Sequence, residues 1–243
     1  MAQINFILQG KGGVGKSVCS ALLAQYKKSK SGEFPLCIDL DPINTSFKNF
    51  KAFKVEAPNI LDEEKQNISQ VAFDDVISKL LEAEESIVDV GAMTFTPLCG
   101  YLKSNDTFSL LAGGDGKDNV DNEIYVHVPI VAGEMFNDTI QGLQTVLDLP
   151  GPFQVIVWLN PMNGKVEESF NKTEVSKNET ITGNITLPVL MSDTFGRDFK
   201  ALLESKRTFE EALADETISI IIRHRLKRIQ KMTFDAIGML PFI

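Results

Sequence analysis

The hydrophobic pattern of the chain alternates between short, continuously apolar runs and longer segments with apolar residues at helical spacing. A continuous apolar run is typical of a strand covered on both faces of a sheet, and the longer spacing is typical of an amphipathic helix. The predicted strands are 4–8, 35–41, 86–91, 124–132, 153–159 and 187–190, with a short extra strand at 54–61. The predicted helices are 17–30, 71–83, 95–101, 136–147, 195–203 and 218–237.

This alternation predicts a three-layer α/β/α fold with a mainly parallel, twisted sheet, because strand–helix–strand units form right-handed crossovers. A ligand of such a fold is expected at the carboxyl edge of the strands. The polar segment 162–185 has no clear period and is predicted to be a mobile insertion or a loose helix. The glycine-rich segment 113–116 predicts a turn.

Length and composition are those of an ordinary globular protein. The 243 residues are 43% hydrophobic and 23% charged, which favours one domain, 1–243. The net charge of −9 argues against a surface that is basic throughout, but it permits a local basic patch. No apolar run reaches about 18 residues and no secretory signal precedes the first strand, so we expect no membrane-spanning segment and a cytoplasmic location.

The cysteines and histidines offer little material for a metal site or a catalytic triad. Cys19, Cys37 and Cys99 lack C-x-x-C spacing and lie in apolar segments, so buried, reduced thiols are predicted. The chain has only two histidines, and His127 lies inside a predicted strand. We therefore expect His127 to be buried in the sheet rather than catalytic.

The segment from Gly10 to Ser17 follows the first predicted strand and has the P-loop spacing G-x-x-x-x-G-K-S. Glycines let successive backbone N–H groups approach phosphate oxygens, and the helix that follows directs its positive end at the same phosphates. Lys16 is expected to neutralise the β- and γ-phosphates, and the Ser17 hydroxyl is expected to bind Mg²⁺. The predicted nucleotide-binding positions in this stretch are Gly12, Gly13, Val14, Gly15, Lys16, Ser17 and Val18.

Carboxylates follow two further predicted strands. Asp39 and Asp41 end the strand 35–41, and Asp89 lies near the end of the strand 86–91, as in a Walker B motif. In a parallel sheet these strand ends face the ligand crevice. Asp89 is therefore expected to hold Mg²⁺ through water.

A second lysine, Lys11, makes the loop Lys-Gly-Gly-Val-Gly-Lys-Ser resemble the deviant Walker A motif of the ParA/MinD ATPase superfamily. The resemblance implies a nucleotide-sandwich homodimer in which Lys11 of one subunit reaches the phosphates bound by the other. Asp39-Leu40-Asp41-Pro42 is similar to the D-x-D-P segment of that family, which implies that Asp41 positions the attacking water and Asp39 belongs to the Mg²⁺ shell. The chain departs from the family at Ile43, where glutamine is usual, and at Val90-Gly91, where prolines are common.

Two more positions take an expected role from this resemblance. Asn160 ends the strand 153–159 where the family reads the adenine edge, although a turn-forming asparagine before proline is an alternative. Pro188 begins a segment that is similar to one passing near the adenine and the dimer contact in the family. Both are therefore expected to bind nucleotide.

Longer stretches resemble a particular branch, the TraL/StbB group of ParA-like proteins. These are Cys-Ile-Asp-Leu-Asp-Pro, Val-Trp-Leu-Asn-Pro, Thr-Phe-Gly-Arg-Asp-Phe and Arg-Thr-Phe-Glu-Glu-Ala-Leu-Ala-Asp. Membership would imply a role beside conjugative-transfer or plasmid-stability functions.

The predicted final helix carries a basic cluster with three possible interpretations: a solvated helix face, a non-specific DNA contact, or a membrane anchor like that of MinD. The anchor fits least, because the apolar seam of the helix is expected to pack on the sheet. The cluster consists of Arg223, Arg225, Lys227, Arg228 and Lys231.

The expected function is an ATP- and Mg²⁺-dependent dimerisation switch that hydrolyses ATP slowly, with Lys11, Lys16 and Asp41 as catalytic residues. A partner protein or DNA would read the closed state. One alternative is a small-molecule kinase or ligase with the same loop and a second pocket in 162–185. Another is a nucleotide-binding protein with negligible hydrolysis. An iron–sulfur relative would need paired cysteine ligands, which the spacing does not provide.

Overall fold

A computed structural model describes residues 1–62, 64, 67–113 and 121–241. Its centre is a six-stranded sheet in the order β2-β3-β1-β4-β5-β6, and every neighbouring pair is parallel. The strands are β1 Gln3–Ile7, β2 Leu36–Leu40, β3 Glu85–Val90, β4 Glu123–Val131, β5 Gln154–Asn160 and β6 Ile181–Thr186. The predicted parallel sheet is confirmed.

Helices cover both faces of this sheet. They are α1 Lys16–Ser31, α2 Ala72–Glu82, α3 Ala92–Ser104, α4 Thr107–Leu111, α5 Phe136–Leu147, α6 Glu167–Asn171, α7 Phe195–Glu204, α8 Phe209–Ala214 and α9 Ile220–Ile237. Among the described residues no helix is both long enough and apolar enough to cross a bilayer.

Two hydrophobic cores lie on opposite faces of the sheet, as strand alternation requires. Ile4 and Phe6 of β1 point into the core made with α2, α3, α4 and α5. Ile7 points into the other core, made with α1, α7, α8 and α9. The predicted three-layer α/β/α architecture is therefore confirmed.

The predicted burial of the cysteines and of His127 is also confirmed. All three thiols are free and buried, and His127 is completely buried. The polar side chain of His127 is tolerated because both of its ring nitrogens have hydrogen-bond partners.

The extra strand predicted at 54–61 is wrong. Only Glu56 pairs with β2, through its carbonyl to the Asp39 N–H and its N–H to the Cys37 carbonyl. Phe53 packs in one core and Ile60 in the other. The segment therefore crosses the edge of the sheet instead of running along it.

The predictions for 162–190 also need correction. The segment 162–185 is neither a mobile insertion nor a loose helix, because it contains the short helix α6 and most of the edge strand β6. The strand predicted at 187–190 lies six residues earlier, at Ile181–Thr186. Of β6 only Ile185 is fully buried. An edge strand with so much polar surface lacks the apolar run that marks the inner strands.

Some boundaries differ from the prediction. Helix α3 extends three residues beyond 95–101 at each end. Helix α9 starts at Ile220 instead of 218, because the Ser219 hydroxyl accepts the Ile222 N–H and caps it. The predicted turn at 113–116 lies, beyond Gly113, outside the described residues.

Candidate functional site

The P-loop connects the end of β1 to the start of α1. Gly13 and Gly15 have φ values of 76° and 98°, in the region that side chains other than glycine rarely adopt. The Lys16 ammonium folds back over the loop and donates a hydrogen bond to the Lys11 carbonyl at 3.0 Å. Burial lowers the pKa of Lys16, and Asp89 and Asp41 oppose that shift. The loop is thus a glycine-lined cradle with the partly buried positive charge of Lys16 over it.

Asn160 supports this cradle from the end of β5. Its side-chain amide donates to the Val14 carbonyl at 3.0 Å, and its side-chain oxygen accepts the Met162 N–H at 3.2 Å. A Cβ atom on Gly15 would lie 2.9 Å from the Asn160 amide nitrogen. The asparagine therefore holds the loop and also forms the turn before Pro161.

Asp89 lies beneath the P-loop and is buried. It is the register partner of Asp39 in the β2–β3 pair, and its Oδ1 accepts the Ser20 hydroxyl at 2.9 Å. Burial raises the pKa of Asp89 to about 7, while hydrogen bonds from Ser17 and Ser20 oppose the rise. The Asp89 carboxylate thus lies next to the Ser20 hydroxyl and close to the charge of Lys16.

Asp39 organises the chain that follows β2. Its Oδ1 accepts the Asp41 N–H at 3.0 Å, and its Oδ2 accepts the N–H groups of Phe47 and Lys48 at 3.1 and 2.9 Å. Burial raises the pKa of Asp39 even though these hydrogen bonds favour the ionised form. The contacts indicate a carboxylate that shapes the loop around Asp41.

Asp41 lies in close contact with Gly91, the residue that follows β3. Its Oδ1 accepts the N–H groups of Ile43 and Asn44 at 3.0 and 2.8 Å. A Cβ atom on Gly91 would lie 2.7 Å from the Asp41 Cγ and 2.8 Å from its Cα. Gly91, at the position where the chain departs from the family, therefore permits this close approach.

Lys11 forms an ion pair with Asp138 in the first turn of α5. Its ammonium lies 2.7 Å from the Asp138 Oδ2, and the two side chains are 40% and 50% exposed. Asp138 was not found by sequence analysis, because no motif marks it. Its only signal is an acidic residue in the first turn of a helix, which is common for reasons of the helix dipole.

Gln9 is a second residue that sequence analysis missed. It is completely buried, and its amide donates to the carbonyls of Pro129 and Thr139 at 3.1 and 3.0 Å. A Cβ atom on Gly142 would lie 1.9 Å from the Gln9 Oε1. Gln9 therefore fastens the start of the P-loop to β4 and α5.

A cavity of about 540 Å³ opens beside the P-loop. Its volume falls within the range of small-molecule sites, and most of its wall is apolar. Lysines 200 and 206 contribute positive charge to it. It brings together five predicted nucleotide-binding residues, namely Gly13, Gly15, Val18, Asn160 and Pro188.

The basic cluster of α9 does not line this cavity. Arg225 pairs with the buried Asp198 at 2.5 Å, and Lys231 pairs with Asp235. Part of the positive charge that we considered for DNA contact is thus neutralised within the chain. The described residues contain no cluster of three histidine, cysteine or acidic side chains that could hold a metal ion.

Comparison with known proteins gives close relatives by sequence but only distant ones by structure. No protein-family model matches the chain. Two Escherichia coli proteins named TraL are similar to it. One is 39% identical over 241 residues, covering 96% of each chain, and the other is 37% identical over 242 residues, covering 97% of each.

Solved structures with a similar fold include a putative plasmid partition protein from Borrelia burgdorferi bound to AMPPNP. It is 14% identical, with a TM-score of 0.48, and the match covers 94% of this chain and 98% of that one. FlhF complexed with GTP and Mg²⁺ is 12% identical, with a TM-score of 0.40, and the match covers 76% and 64% of the two chains. The family assignment therefore depends on the sequence relatives. Because two TraL proteins are more than a third identical to it over nearly their whole length, this chain belongs to the TraL family.

Proposed function

We propose that this protein is a slow ATPase whose ATP-bound form is a homodimer, and that 1–243 acts as a single ATPase domain serving plasmid transfer or plasmid stability. The observation that carries the proposal is the electrostatic proximity of the P-loop lysine, Lys16, to Asp89, which is the register partner of Asp39 at the carboxyl edge of a parallel sheet. Membership of the TraL family supports the plasmid role, since the group that the chain resembles is encoded beside such functions.

ATP would bind along the P-loop with its base in the adjacent cavity. The backbone N–H groups from Gly12 to Val18 and the Lys16 ammonium would take the phosphates. Asn160 and Pro188 line the cavity where the base would lie. The positive φ values at Gly13 and Gly15 support this use, because a Cβ at either position would strain the cradle.

The residues beneath the loop fit Mg²⁺, which prefers oxygen ligands and keeps several waters. Ser17 would bind the ion directly, while Asp89 would hold it through water. Asp39 would support this shell mainly by shaping the loop, since both of its oxygens already accept backbone N–H groups. When bound, the ion would neutralise charge on the phosphates.

Asp41 and Lys11 would supply the steps that distinguish hydrolysis from binding. Within the described residues only the Oδ1 of Asp41 accepts a hydrogen bond, which leaves Oδ2 for a water molecule. Lys11 is held by Asp138 in this structure, and it would leave that partner to reach the nucleotide of a second subunit. A trans-acting cation of this kind accelerates GTP hydrolysis by roughly 10³ to 10⁵ in GTPases.

Two lysine variants test the proposal. Lys16→Ala should lose ATP binding, because it removes the ammonium group of the cradle. Lys11→Ala should keep ATP binding but lose ATP-driven dimerisation, since its side chain would act on the other subunit's nucleotide. Calorimetry with ATP and sedimentation with no nucleotide, ADP, ATP and a non-hydrolysable analogue would measure both effects. An unchanged sedimentation coefficient of Lys11→Ala in ATP, relative to wild type in ATP, would contradict the role of Lys11.

A nucleotide-binding protein with negligible hydrolysis is the second candidate, and one observation favours it. Ile43, at the position where the resembled family has glutamine, is 63% exposed and has no polar side chain to orient water. Phosphate release at saturating ATP would separate the two functions. ADP formation that depends on an added metabolite would instead favour the kinase or ligase alternative.

A further inference from the structure

The basic cluster of α9 divides into two groups, and one of them is unpaired. Arg225 and Lys231 pair with carboxylates, while the Arg228 guanidinium lies 5.3 Å from the centre of an aromatic ring. Within the described part of the chain, Arg223 and Lys227 have no ion-pair partner. The Arg223 Nε is moreover inaccessible to solvent and lacks a hydrogen-bond acceptor. Because that Nε is inaccessible, an acceptor from outside the chain would reach Arg223 only at its terminal guanidinium nitrogens; the unsatisfied Nε–H shows that the side chain has no partner among the described residues.

Exposed aliphatic side chains lie next to this unpaired group. Ile220 and Ile221, in the first turn of α9, are 71% and 64% exposed. Ile220, Arg223 and Lys227 follow one another at spacings of three and four residues and therefore share one face of the helix. They line an open groove of about 650 Å³, which we call the α8–α9 groove and which is formed by Leu213, Ile220, Ile221, Arg223, His224 and Lys227.

The charge of the groove is opposite to that of the whole molecule. None of its six lining residues is acidic, whereas the chain carries a net charge of −9. Two acids close to it in the sequence, Asp215 and Glu216, do not line it, and Asp215 pairs with Arg207. A surface with apolar side chains at its centre and cations beside them complements an acidic segment that carries apolar anchors.

We propose that the α8–α9 groove binds an acidic, amphipathic segment of a partner protein. Carboxylates of that segment would pair with the Lys227 ammonium and with the terminal guanidinium nitrogens of Arg223. One or two aliphatic or aromatic side chains would cover Ile220 and Ile221. Helix-in-groove binding of this kind places apolar anchors on one face of the bound segment.

The groove suits a protein segment better than DNA or a membrane. Phosphate contacts require cations and polar groups, and two exposed isoleucines contribute nothing to them. A helix lying on a bilayer needs a long apolar face, yet Leu226, Ile229 and Ile237 of α9 are buried in the core. The most exposed apolar residues of α9 are Ile220 and Ile221 in its first turn, whereas Met232 is only 37% exposed.

The test uses the full chain and a displayed library of random peptides of about 16 residues, roughly four helical turns. Peptides are selected on the wild-type protein without nucleotide, and the enriched sequences are synthesised with a fluorophore. Binding is then measured by anisotropy to wild type, to Ile220→Ser/Ile221→Ser and to Arg223→Glu/Lys227→Glu. Val71→Ser and Lys103→Glu, at exposed positions outside the groove, are the matched controls.

We expect the enriched peptides to be acidic, with apolar residues at helical spacing. Their affinity should fall at least about tenfold in each groove variant and stay unchanged in both controls. Neutral or basic enriched peptides, or equal affinity for the groove variants, would overturn the proposal. Anionic vesicles or duplex DNA that bind wild type but not the isoleucine variant would overturn it as well.

The inference rests on the proposed function, because the bound segment would belong to the partner protein that is expected to recognise the ATP-dependent switch. Failure of the inference can still be told apart from failure of the proposed ATPase function. Thermal unfolding and ATP calorimetry of the groove variants show whether fold and nucleotide site are intact. Normal ATP binding with no peptide selectivity would reject the groove alone. Peptide selectivity without ATP binding by the wild type would reject the ATPase proposal alone.

Discussion

At the scale of single residues, His127 links strands of the sheet through its two ring nitrogens. The Trp158 indole N–H can only donate, so the Nδ1 of His127 accepts it at 2.8 Å. The Nε2 of His127 therefore carries the proton and donates to the Asn5 side-chain oxygen at 3.0 Å. Asn5 in turn donates to the Ser86 carbonyl at 3.0 Å. This polar chain crosses β5, β4, β1 and β3 and requires a neutral histidine.

The neutral state of His127 predicts a loss of stability in acid. Burial, with a smaller effect of Lys27, lowers the pKa of His127 from 6.5 to about 3. Between pH 6.5 and about pH 3, His127 is protonated in the unfolded chain but neutral in the folded chain. The free energy of unfolding therefore falls as the pH falls through this window. Below pH 6.5 the free energy of unfolding falls by roughly 1.4 kcal/mol per pH unit because of His127. The loss between pH 8 and pH 5 is therefore roughly 2 kcal/mol.

Urea unfolding of wild type and His127→Gln at these two pH values measures this effect. The variant should be less stable at pH 8, and the difference from wild type should narrow by roughly 2 kcal/mol at pH 5. His224→Gln, on the exposed surface of α9, is the control and should follow the wild-type curve. A stability difference between wild type and His127→Gln that stays constant with pH would contradict the lowered pKa of His127.

At the scale of elements, α9 is attached to α7 by a buried charge. Asp198 of α7 is buried, and Arg225 of α9 pairs with it at 2.5 Å. Removing one member of a buried pair leaves an uncompensated charge, whereas removing both members avoids that penalty. The pair therefore fixes where α9 lies, and with it the orientation of the α8–α9 groove.

The expected result is that Asp198→Ala lowers the free energy of unfolding by roughly 3 kcal/mol. The double variant Asp198→Ala/Arg225→Met should recover much of that loss. Asp235→Ala, which breaks the exposed pair with Lys231, is the matched control and should cost less than roughly 0.5 kcal/mol. Denaturant titration measures all three changes. A double variant less stable than Asp198→Ala would contradict the argument.

At the scale of the whole molecule, the ion pair between Lys11 and Asp138 is expected to shift the equilibrium between monomer and proposed dimer toward the monomer. In the proposed dimer both copies of Lys11 have to leave Asp138, so dimerisation is opposed by the free energy of two exposed salt bridges. Gln9 holds the neighbouring backbone in place while that side chain moves.

We expect Asp138→Asn to strengthen ATP-driven dimerisation by about four- to 25-fold, the equivalent of roughly 0.8–2 kcal/mol for two pairs per dimer. Sedimentation of wild type and variant over a range of protein concentrations in a non-hydrolysable ATP analogue measures this. Asp148→Asn, which removes an exposed charge at the other end of α5, is the control. Weaker dimerisation of Asp138→Asn would contradict the proposed release.

DNA binding, if the protein has it, should depend on ATP. With Arg225 and Lys231 paired inside the chain, one subunit offers few cations to phosphates, whereas a dimer offers two sets and gains by avidity. Non-specific affinities are roughly 10⁻⁴ to 10⁻⁶ M at physiological salt, so we expect detectable binding of duplex DNA only with ATP and a steep loss with salt. Equal affinity with and without ATP in a salt titration would contradict this.

Much of the fold and of the P-loop could be predicted because their signals are local. The inner strands are continuous apolar runs, and the loop Gly10–Ser17 has the spacing that is typical of a P-loop. The strand β6 could not be predicted in its place, since an edge strand tolerates polar residues on its open side. Asp138, Gln9 and the unpaired Arg223 also escaped prediction, because each depends on a neighbour distant in the chain.

The sequence by itself determined the three-layer fold, the TraL resemblance and the residue types of the nucleotide loop, because apolar periodicity and glycine conformation act over a few neighbouring residues. Only the tertiary structure decided which side chains meet. It brought Asp39 beside Asp89, held Lys11 with Asp138, and left Ile220 and Ile221 uncovered next to Arg223. Contacts between separate elements follow from how helices pack on the sheet, and no short stretch of sequence encodes that packing.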